Sequence, residues 1–255
     1  MLHEDRSRAL SFGADAQRYD RVRPSYPAAM VDDLVGSTDA PEVLDVGCGT
    51  GISSRLFRDR GCRVLGLEPD PRMAEYARAT GLDVEEGTIE GWDDGGRRFD
   101  LLTSGQAWHW VDPAQGAERA AGVLRQGGRV GLFWNVAVHD PLVLETFEAQ
   151  YRALDIGIDE HSILLGRGSE DRFPLAAEGL RATQHFAGIE QREYHWAKRY
   201  TAETWLDQLP THSDHATLPA EQLDKLVQRI DQAIAELGGA FDVGYRTVLV
   251  TASRT

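Results

Sequence analysis

Between residues 42 and 135 the chain alternates short runs of β-branched and leucine residues with longer stretches of mixed polarity. The runs at 43–46, 64–67, 82–85, 99–103 and 130–134 read as strands, and the stretches between them as helices near 52–60, 71–80 and 113–124, with another near 141–154. The helix starts are legible. Asp70-Pro71, Asp112-Pro113 and Asp140-Pro141 each offer a capping carboxylate followed by a proline whose φ is preset for a first turn. Gly61, Gly81 and Gly127 fit helix C-termini, where a left-handed residue is wanted. Strands alternating with helices predict a parallel α/β sheet.

Beyond Leu154 the alternation weakens, and 155–182 is rich in glycine and charge without an assignable period. It reads as an insertion or cap. The pattern resumes with a strand at 190–199, helices near 202–209 and 219–236, and a strand at 243–251, the two strands forming a hairpin-like edge around a helical excursion. The first 30 residues have no place in the sheet and are expected to cover something. The organisation is therefore one domain, 1–255, with cap elements at 1–30, 155–182 and 200–218.

Charge narrows the partners. Lys and Arg total 27 against 41 Asp and Glu, a formal charge of −14 that repels a phosphate backbone, so nucleic acid is not an expected partner. No apolar run reaches the roughly 18 residues of a membrane span. The start, Met1-Leu2-His3-Glu4-Asp5, lacks the basic and apolar regions of a signal peptide, so a cytoplasmic location is expected. Cys48 and Cys62 form neither a CxxC pair nor a larger framework, and are expected as reduced thiols.

Val43-Leu44-Asp45-Val46-Gly47-Cys48-Gly49-Thr50-Gly51 is an apolar strand running into a glycine-rich turn that opens a helix at Ile52. Glycines there let the backbone bend sharply and approach a ligand. The spacing is GxGxG rather than the GxGxxG of dinucleotide sites, and Asp45 stands two positions before the first glycine. A carboxylate there opposes a pyrophosphate and suits a ligand carrying an ammonium group. Glu68 ends the next strand, where a carboxylate can accept hydrogen bonds from both hydroxyls of a ribose. Gly87-Thr88-Ile89-Glu90 follows the third strand as a loop able to meet an adenine.

In order along residues 12–135, DVGCGTG, LGLEPD, RRFDLLTSGQAWHW and LRQGGRVGLFWN resemble the successive motifs of class I S-adenosylmethionine-dependent methyltransferases. The segments RYDRVRPSYP and QAWHW resemble the type 11 group that includes trans-aconitate methyltransferases, enzymes that esterify a small carboxylic acid. The resemblance implies a Rossmann-like, seven-stranded, mostly parallel sheet with helices on both faces and a helical cap. It also implies S-adenosyl-L-methionine as cofactor, contacted by Asp45, Gly47, Gly49, Gly51, Glu68, Met73, Ile89 and Gln106, with Cys48, Pro69 and Glu90 completing the candidate set. Met73 also fits simple core packing, and Cys48 a small buried residue whose backbone matters more than its sulfur.

On the acceptor side, His109 follows the fourth strand, at the carboxyl edge where open α/β sheets bind ligands, and is the candidate catalytic residue, either taking a proton or orienting the acceptor. Trp108 and Trp110 are candidate pocket walls. Tyr19, Arg23 and Tyr26 are candidate substrate contacts; of the cluster Arg18, Arg21 and Arg23, at least two are expected to be plain surface charges. His212 and His215 have HxxH spacing but no evident third ligand, so no metal is expected. The expected activity is methylation of a small molecule, at the oxygen of a carboxylate or hydroxyl. A cofactor-binding sensor without turnover is the alternative, and an NAD-dependent oxidoreductase is disfavoured by the glycine spacing.

Overall fold

The computed structural model describes residues 13, 15–156, 170–216 and 218–255. Seven strands among them form one sheet: β1 (Glu42–Val46), β2 (Arg63–Glu68), β3 (Asp83–Glu86), β4 (Phe99–Gly105), β5 (Leu124–His139), β6 (Phe186–Thr201) and β7 (Ala240–Arg254), in the order β3-β2-β1-β4-β5-β7-β6. Pairings from β3 through β5 are parallel, and β7 runs antiparallel to both β5 and β6. The chain leaves β1 in one direction, to β2 and β3, then returns to pair β4 on the other side of β1. That reversal opens a crevice at the carboxyl ends of β1 and β4, where sheets of this kind bind ligands. In β1 every residue from Val43 on is buried, as expected of a central strand covered on both faces, and Asp45 is the one polar residue among these four.

All three Asp-Pro signals are realised. Asp70 caps α4 (Pro71–Ala79), Asp112 caps α5 (Pro113–Val123) and Asp140 caps α6 (Pro141–Ala153), each through its carboxylate and the backbone N–H groups of the first turn. Gly127, expected after a helix, instead lies inside β5, which begins at Leu124 immediately after α5. The predicted strand 130–134 is thus the middle of a much longer one.

The N-terminal region supplies α1 (Ala16–Val22) and α2 (Ala28–Val35). Met30, Val31 and Leu34 of α2 pack in one cluster with Val43, Leu101, Phe133 and Leu249, and with Phe57 of α3 (Ile52–Arg58). Gly131 makes room for this helix, since a Cβ there would lie 2.7 Å from Leu34 Cδ2. On the opposite face α5 packs against α7 (Arg172–Ala182), with Phe173, Ala176 and Leu180 buried over Trp134 and Val248. Of the segment 155–182, residues 157–169 lie outside the described residues; α7 is the element whose period was not legible.

A second core lies beyond the parallel strands. β4 ends at Gly105 opposite Phe133, while β5 continues to His139 and pairs Ala137 with Tyr245 of β7, which in turn faces Trp196 of β6. On this extension sit α6, α8 (Ala202–Gln208) and α10 (Ala220–Glu236), with the short α9 (Ser213–Ala216) between the last two. Phe147, Tyr151, Tyr200, Trp205, Leu226, Ile230, Phe241 and Tyr245 fill the space. Among the described residues no helix is long and apolar enough to cross a membrane.

Candidate active site

The glycine-rich turn is held from below. Gly47 N–H donates to Leu67 O at 2.7 Å and Gly51 N–H to Cys48 O at 2.9 Å. Gly47, Gly49 and Gly51 all have φ between +58° and +88°, a region costly for residues with a Cβ. They differ in what surrounds them. A Cβ on Gly47 would lie 2.4 Å from Ala107 Cβ, and one on Gly51 2.2 Å from Leu82 Cδ1, whereas one on Gly49 would project into open space. Two of the glycines therefore permit packing, and the third leaves an open cradle at the carboxyl edge.

Asp45 lies beneath this turn, wholly buried, and accepts hydrogen bonds from Ser53 Oγ (2.7 Å), Ser54 Oγ (2.6 Å) and Thr103 Oγ1 (2.9 Å). Burial raises its pKa, opposed by the three hydroxyl donors. Its visible work is to tie β1 to the start of α3 and to β4. The Ser53-Ser54 pair that opens α3 was the sequence signal for this role, and it was missed.

Glu68 stands beside the turn, 7% exposed, with Oε2 accepting Gly49 N–H at 2.8 Å and Oε1 accepting Asp70 N–H at 2.9 Å. Burial pushes its carboxyl up to about 7 despite these two donors, with the nearby Asp70 charge adding to the rise. The backbone of Gly13 lies against Asp70, whose Oδ2 would be 2.2 Å from a Cβ there, so the chain at Gly13 reaches the β2 end of the crevice.

On the β4 side, Gln106 takes φ +56°, rare without a reason for a non-glycine residue. Its N–H donates to Phe133 O (2.8 Å), its Nε2 to Asn135 O (3.1 Å), and its Oε1 is buried with no partner. Thr50 Oγ1, within the glycine turn, is likewise buried and unpartnered. Tyr26 covers this edge: its hydroxyl lies 2.9 Å from where a Gly105 Cβ would be, and its ring meets Phe133 edge-on at 4.7 Å. Burial pushes its phenol well above the ordinary value.

The segment carrying Tyr26 is tied at several points. Asp20 pairs with Arg55 of α3 at 2.7 Å, while Arg18 and Arg21 both end on Asp207 of α8, at 3.1 and 2.6 Å. Arg23 donates to Thr211 O, lies 3.2 Å from His212 Nδ1, and sits over the Tyr19 ring at 4.8 Å. Thus α1 bridges the glycine turn and the second core, and Arg18 and Arg21, expected as plain surface charges, are paired with Asp207.

The remaining candidates divide by orientation. His109 accepts the Trp134 indole N–H at Nδ1 (3.2 Å) and lies 4.9 Å from the Trp110 ring, which is half-exposed. Because an indole N–H only donates, the neutral imidazole carries its proton on Nε2. Trp108, expected as a pocket wall, is instead core: it is 3% exposed and its ring edge lies 3.2 Å from where a Gly116 Cβ would be. Met73, Ile89 and Cys48 are buried as well, Cys48 against Gly66, and Pro69 is exposed. Glu90 accepts the Asp112 N–H at 3.0 Å ahead of α5. His215 Nε2 lies 2.6 Å from the Tyr151 hydroxyl, and among the described residues no group of three or more side chains could hold a metal ion.

The methyltransferase-domain family matches residues 44–132, the stretch that builds the crevice. An uncharacterized methyltransferase of Mycobacterium tuberculosis is 30% identical over 233 residues, covering 90% of this chain and 88% of that protein. The chain belongs to the class I S-adenosylmethionine-dependent methyltransferases. Another relative of this methyltransferase, a malonyl-[acyl-carrier protein] O-methyltransferase of Enterobacter lignolyticus, is 39% identical over 179 residues, 68% of each chain. Among solved structures, a protein of Anaeromyxobacter dehalogenans provisionally named a type II methyltransferase superposes with a TM-score of 0.65 at 20% identity, over 91% of this chain and 97% of that one. Phosphoethanolamine N-methyltransferase 2 of Haemonchus contortus, bound to S-adenosyl-L-methionine, superposes with a TM-score of 0.54 at 15% identity, over 100% of this chain and 60% of that one. The methyltransferase's cofactor is S-adenosylmethionine, and the open cradle at Gly49, the carboxylate of Glu68 beside it and the unpartnered Gln106 Oε1 are features that fit such a ligand.

Proposed function

We propose that this methyltransferase methylates a carboxylate oxygen of a small acid. The observation that carries the reading is the character of the groups at and just beyond the carboxyl ends of β4 and β5. Tyr26 is held neutral by burial, Gln106 and Asn135 are amides, and His109 has Nδ1 engaged and its proton on Nε2. None of these is poised to remove a proton. An alcohol acceptor needs a base as the bond forms; a carboxylate arrives ionised and needs none.

When bound, S-adenosylmethionine supplies an electrophilic methyl group on a sulfonium: the C–S bond breaks, sulfur keeps the electron pair, a C–O bond forms and no proton moves. The chain's own residues have positioning roles. Gly49 leaves the backbone open to the nucleoside, and Glu68 accepts from its ribose hydroxyls. Gln106 Oε1 accepts from the amino-acid portion, with Asp45 supporting the turn beneath. His109 Nε2–H donates to the acceptor, and Tyr26 shuts water out above it. Alignment and exclusion of water are the main sources of acceleration in such a displacement. In this reading α1, α8 and α9 act as a cap over a single domain.

Titration calorimetry with S-adenosylhomocysteine, followed by transfer of a labelled methyl group to carboxylic acids and to their matching alcohols, tests the proposal. Binding with transfer to acids is expected; transfer to the alcohols alone overturns it.

A further inference from the structure

The N-terminal arm touches both loops that build the cofactor site. At the β2 end the backbone of Gly13 lies against the Asp70 carboxylate, and Asp70 N–H in turn donates to Glu68 Oε1 at 2.9 Å. At the β1 end the contact is Asp20 of α1, whose Oδ1 accepts from Arg55 Nη2 at 2.7 Å. The other arm of the same guanidinium, Nη1, donates to the Thr50 carbonyl inside the glycine turn at 2.9 Å. One side chain therefore reaches from the arm to the turn. The Tyr76 hydroxyl of α4 donates to the second Asp20 oxygen at 3.4 Å, so a single carboxylate of the arm is seated between the two helices that follow β1 and β2.

Helical side chains lean toward the N-terminus of their helix, so Arg55, the fourth residue of α3, folds back to reach Thr50. That direction carries its charge toward the end of the helix where the backbone dipoles are also positive, an unfavourable placement without a carboxylate beside it. Asp20 supplies the carboxylate. The two side chains are 23% and 17% exposed, so water and salt screen this pair less than the Arg21–Asp207 pair, whose guanidinium is 58% exposed. The Thr50–Gly51 peptide is then held at both of its polar groups, the carbonyl by Arg55 and the N–H by Cys48 O at 2.9 Å.

We infer that Arg55 is a positioning residue for the cofactor: held by Asp20, it fixes the plane of the Thr50–Gly51 peptide and with it the turn around the open cradle at Gly49. The arm contributes to cofactor affinity through this one side chain. Such coupling is reciprocal, so the cofactor tightens the arm by the same factor by which the arm tightens the cofactor. The inference concerns the cofactor alone and is independent of the acceptor proposed above.

The test titrates S-adenosylhomocysteine into the full chain and into Asp20→Asn, Arg55→Ala and the double variant, each first shown by denaturant unfolding to be folded. Each single change is expected to weaken binding about fivefold or more, and the double variant no further than the weaker-binding single, because both remove one connection. Asp207→Asn releases Arg18 and Arg21 but leaves the Arg55 connection in place, and is expected to weaken binding by about twofold at most, the small effect of exposed ion pairs. The reciprocal readout is limited trypsin digestion after Arg18 and Arg21: saturating S-adenosylhomocysteine slows it in the parent, by about the factor that Asp20→Asn loses in affinity, and leaves it unchanged in Asp20→Asn. Variants that bind as the parent does, additive losses in the double variant, or an Asp207→Asn loss as large as that of Asp20→Asn overturn the inference. So does cleavage of the parent that the ligand does not slow.

Discussion

The side-chain amide of Asn135 donates to the backbone carbonyl of Ser25 at 2.9 Å, joining the sheet to the segment that carries Tyr26. The same side chain accepts Thr247 Oγ–H at 2.6 Å, and Thr247 accepts the Trp196 indole N–H at 2.9 Å. Three strands thus contribute to one buried chain of donors that ends on the arm. Such networks are strong when complete and costly when broken.

Replacing Asn135 by Ala therefore strands the Thr247 hydroxyl and the Ser25 carbonyl together. We expect a loss of about 1–3 kcal/mol in denaturant unfolding, the usual cost of leaving buried polar groups unmade. The arm should also loosen, so that limited trypsin digestion cuts after Arg18 or Arg21 sooner than in the parent. Unchanged digestion would show that the ion pairs to Asp207 and Arg55 suffice to hold it.

Glu68 gives a pH prediction with a definite sign. An acid whose folded pKa is raised, here to about 7 from the ordinary 4.5, binds more protons folded than unfolded between those values. Stability is thus greatest below the unfolded pKa, falls as pH rises through that window, by at most about 1.4 kcal/mol per unit, and levels off above 7. Cofactor affinity should move the other way, since ribose hydroxyls are better held by the ionised carboxylate: binding of S-adenosylhomocysteine strengthens as pH rises from 6 to 8. In Glu68→Gln both slopes should flatten and affinity at pH 8 should drop about tenfold, the equivalent of one charged hydrogen bond. Calorimetry across that range decides it.

The glycines of the turn separate folding from binding. Gly47→Ala places a Cβ against Ala107 as well as imposing a left-handed φ, so it should destabilise the protein. Gly49→Ala meets no protein atom, so its stability cost should stay near the roughly 1–2 kcal/mol of a left-handed alanine. Its methyl group projects into the open cradle, so cofactor affinity should fall by more than that cost implies. Thermal melts with and without S-adenosylhomocysteine distinguish the two: Gly47→Ala lowers the apo melting temperature more, while Gly49→Ala loses more of the ligand-induced rise.

What the sequence disclosed followed the range of the interactions. The three Asp-Pro caps and the parallel strands are set by neighbours a few residues apart, and they were readable. Trp108 looked like a pocket residue because it sits in QAWHW beside His109, yet a three-residue 3₁₀ turn points it into the core. Asp45 looked like a ligand contact, but its partners Ser53, Ser54 and Thr103 converge on it only once α3 and β4 are in place. Lys198 and Tyr245 carried no local signal at all. Lys198 reaches the arm at Val22 O through β6, 176 residues along the chain.

His109 is the residue whose chemistry most depends on a neighbour. Trp134 donates to its Nδ1, so the neutral ring carries its hydrogen on Nε2, where it is a donor. If that donor orients a carboxylate, then His109→Gln, which can still offer an N–H, should keep more of kcat than His109→Phe, which offers none and should lose tenfold or more. Trp134→Phe removes the constraint: Nδ1 is released, either tautomer becomes available, and the histidine is free to act as a base. The activity of that variant should then depend on pH more steeply than in the parent. A parent enzyme that already shows this dependence and loses it in His109→Gln would mean that the imidazole removes a proton, and would overturn the assignment of His109 as a donor.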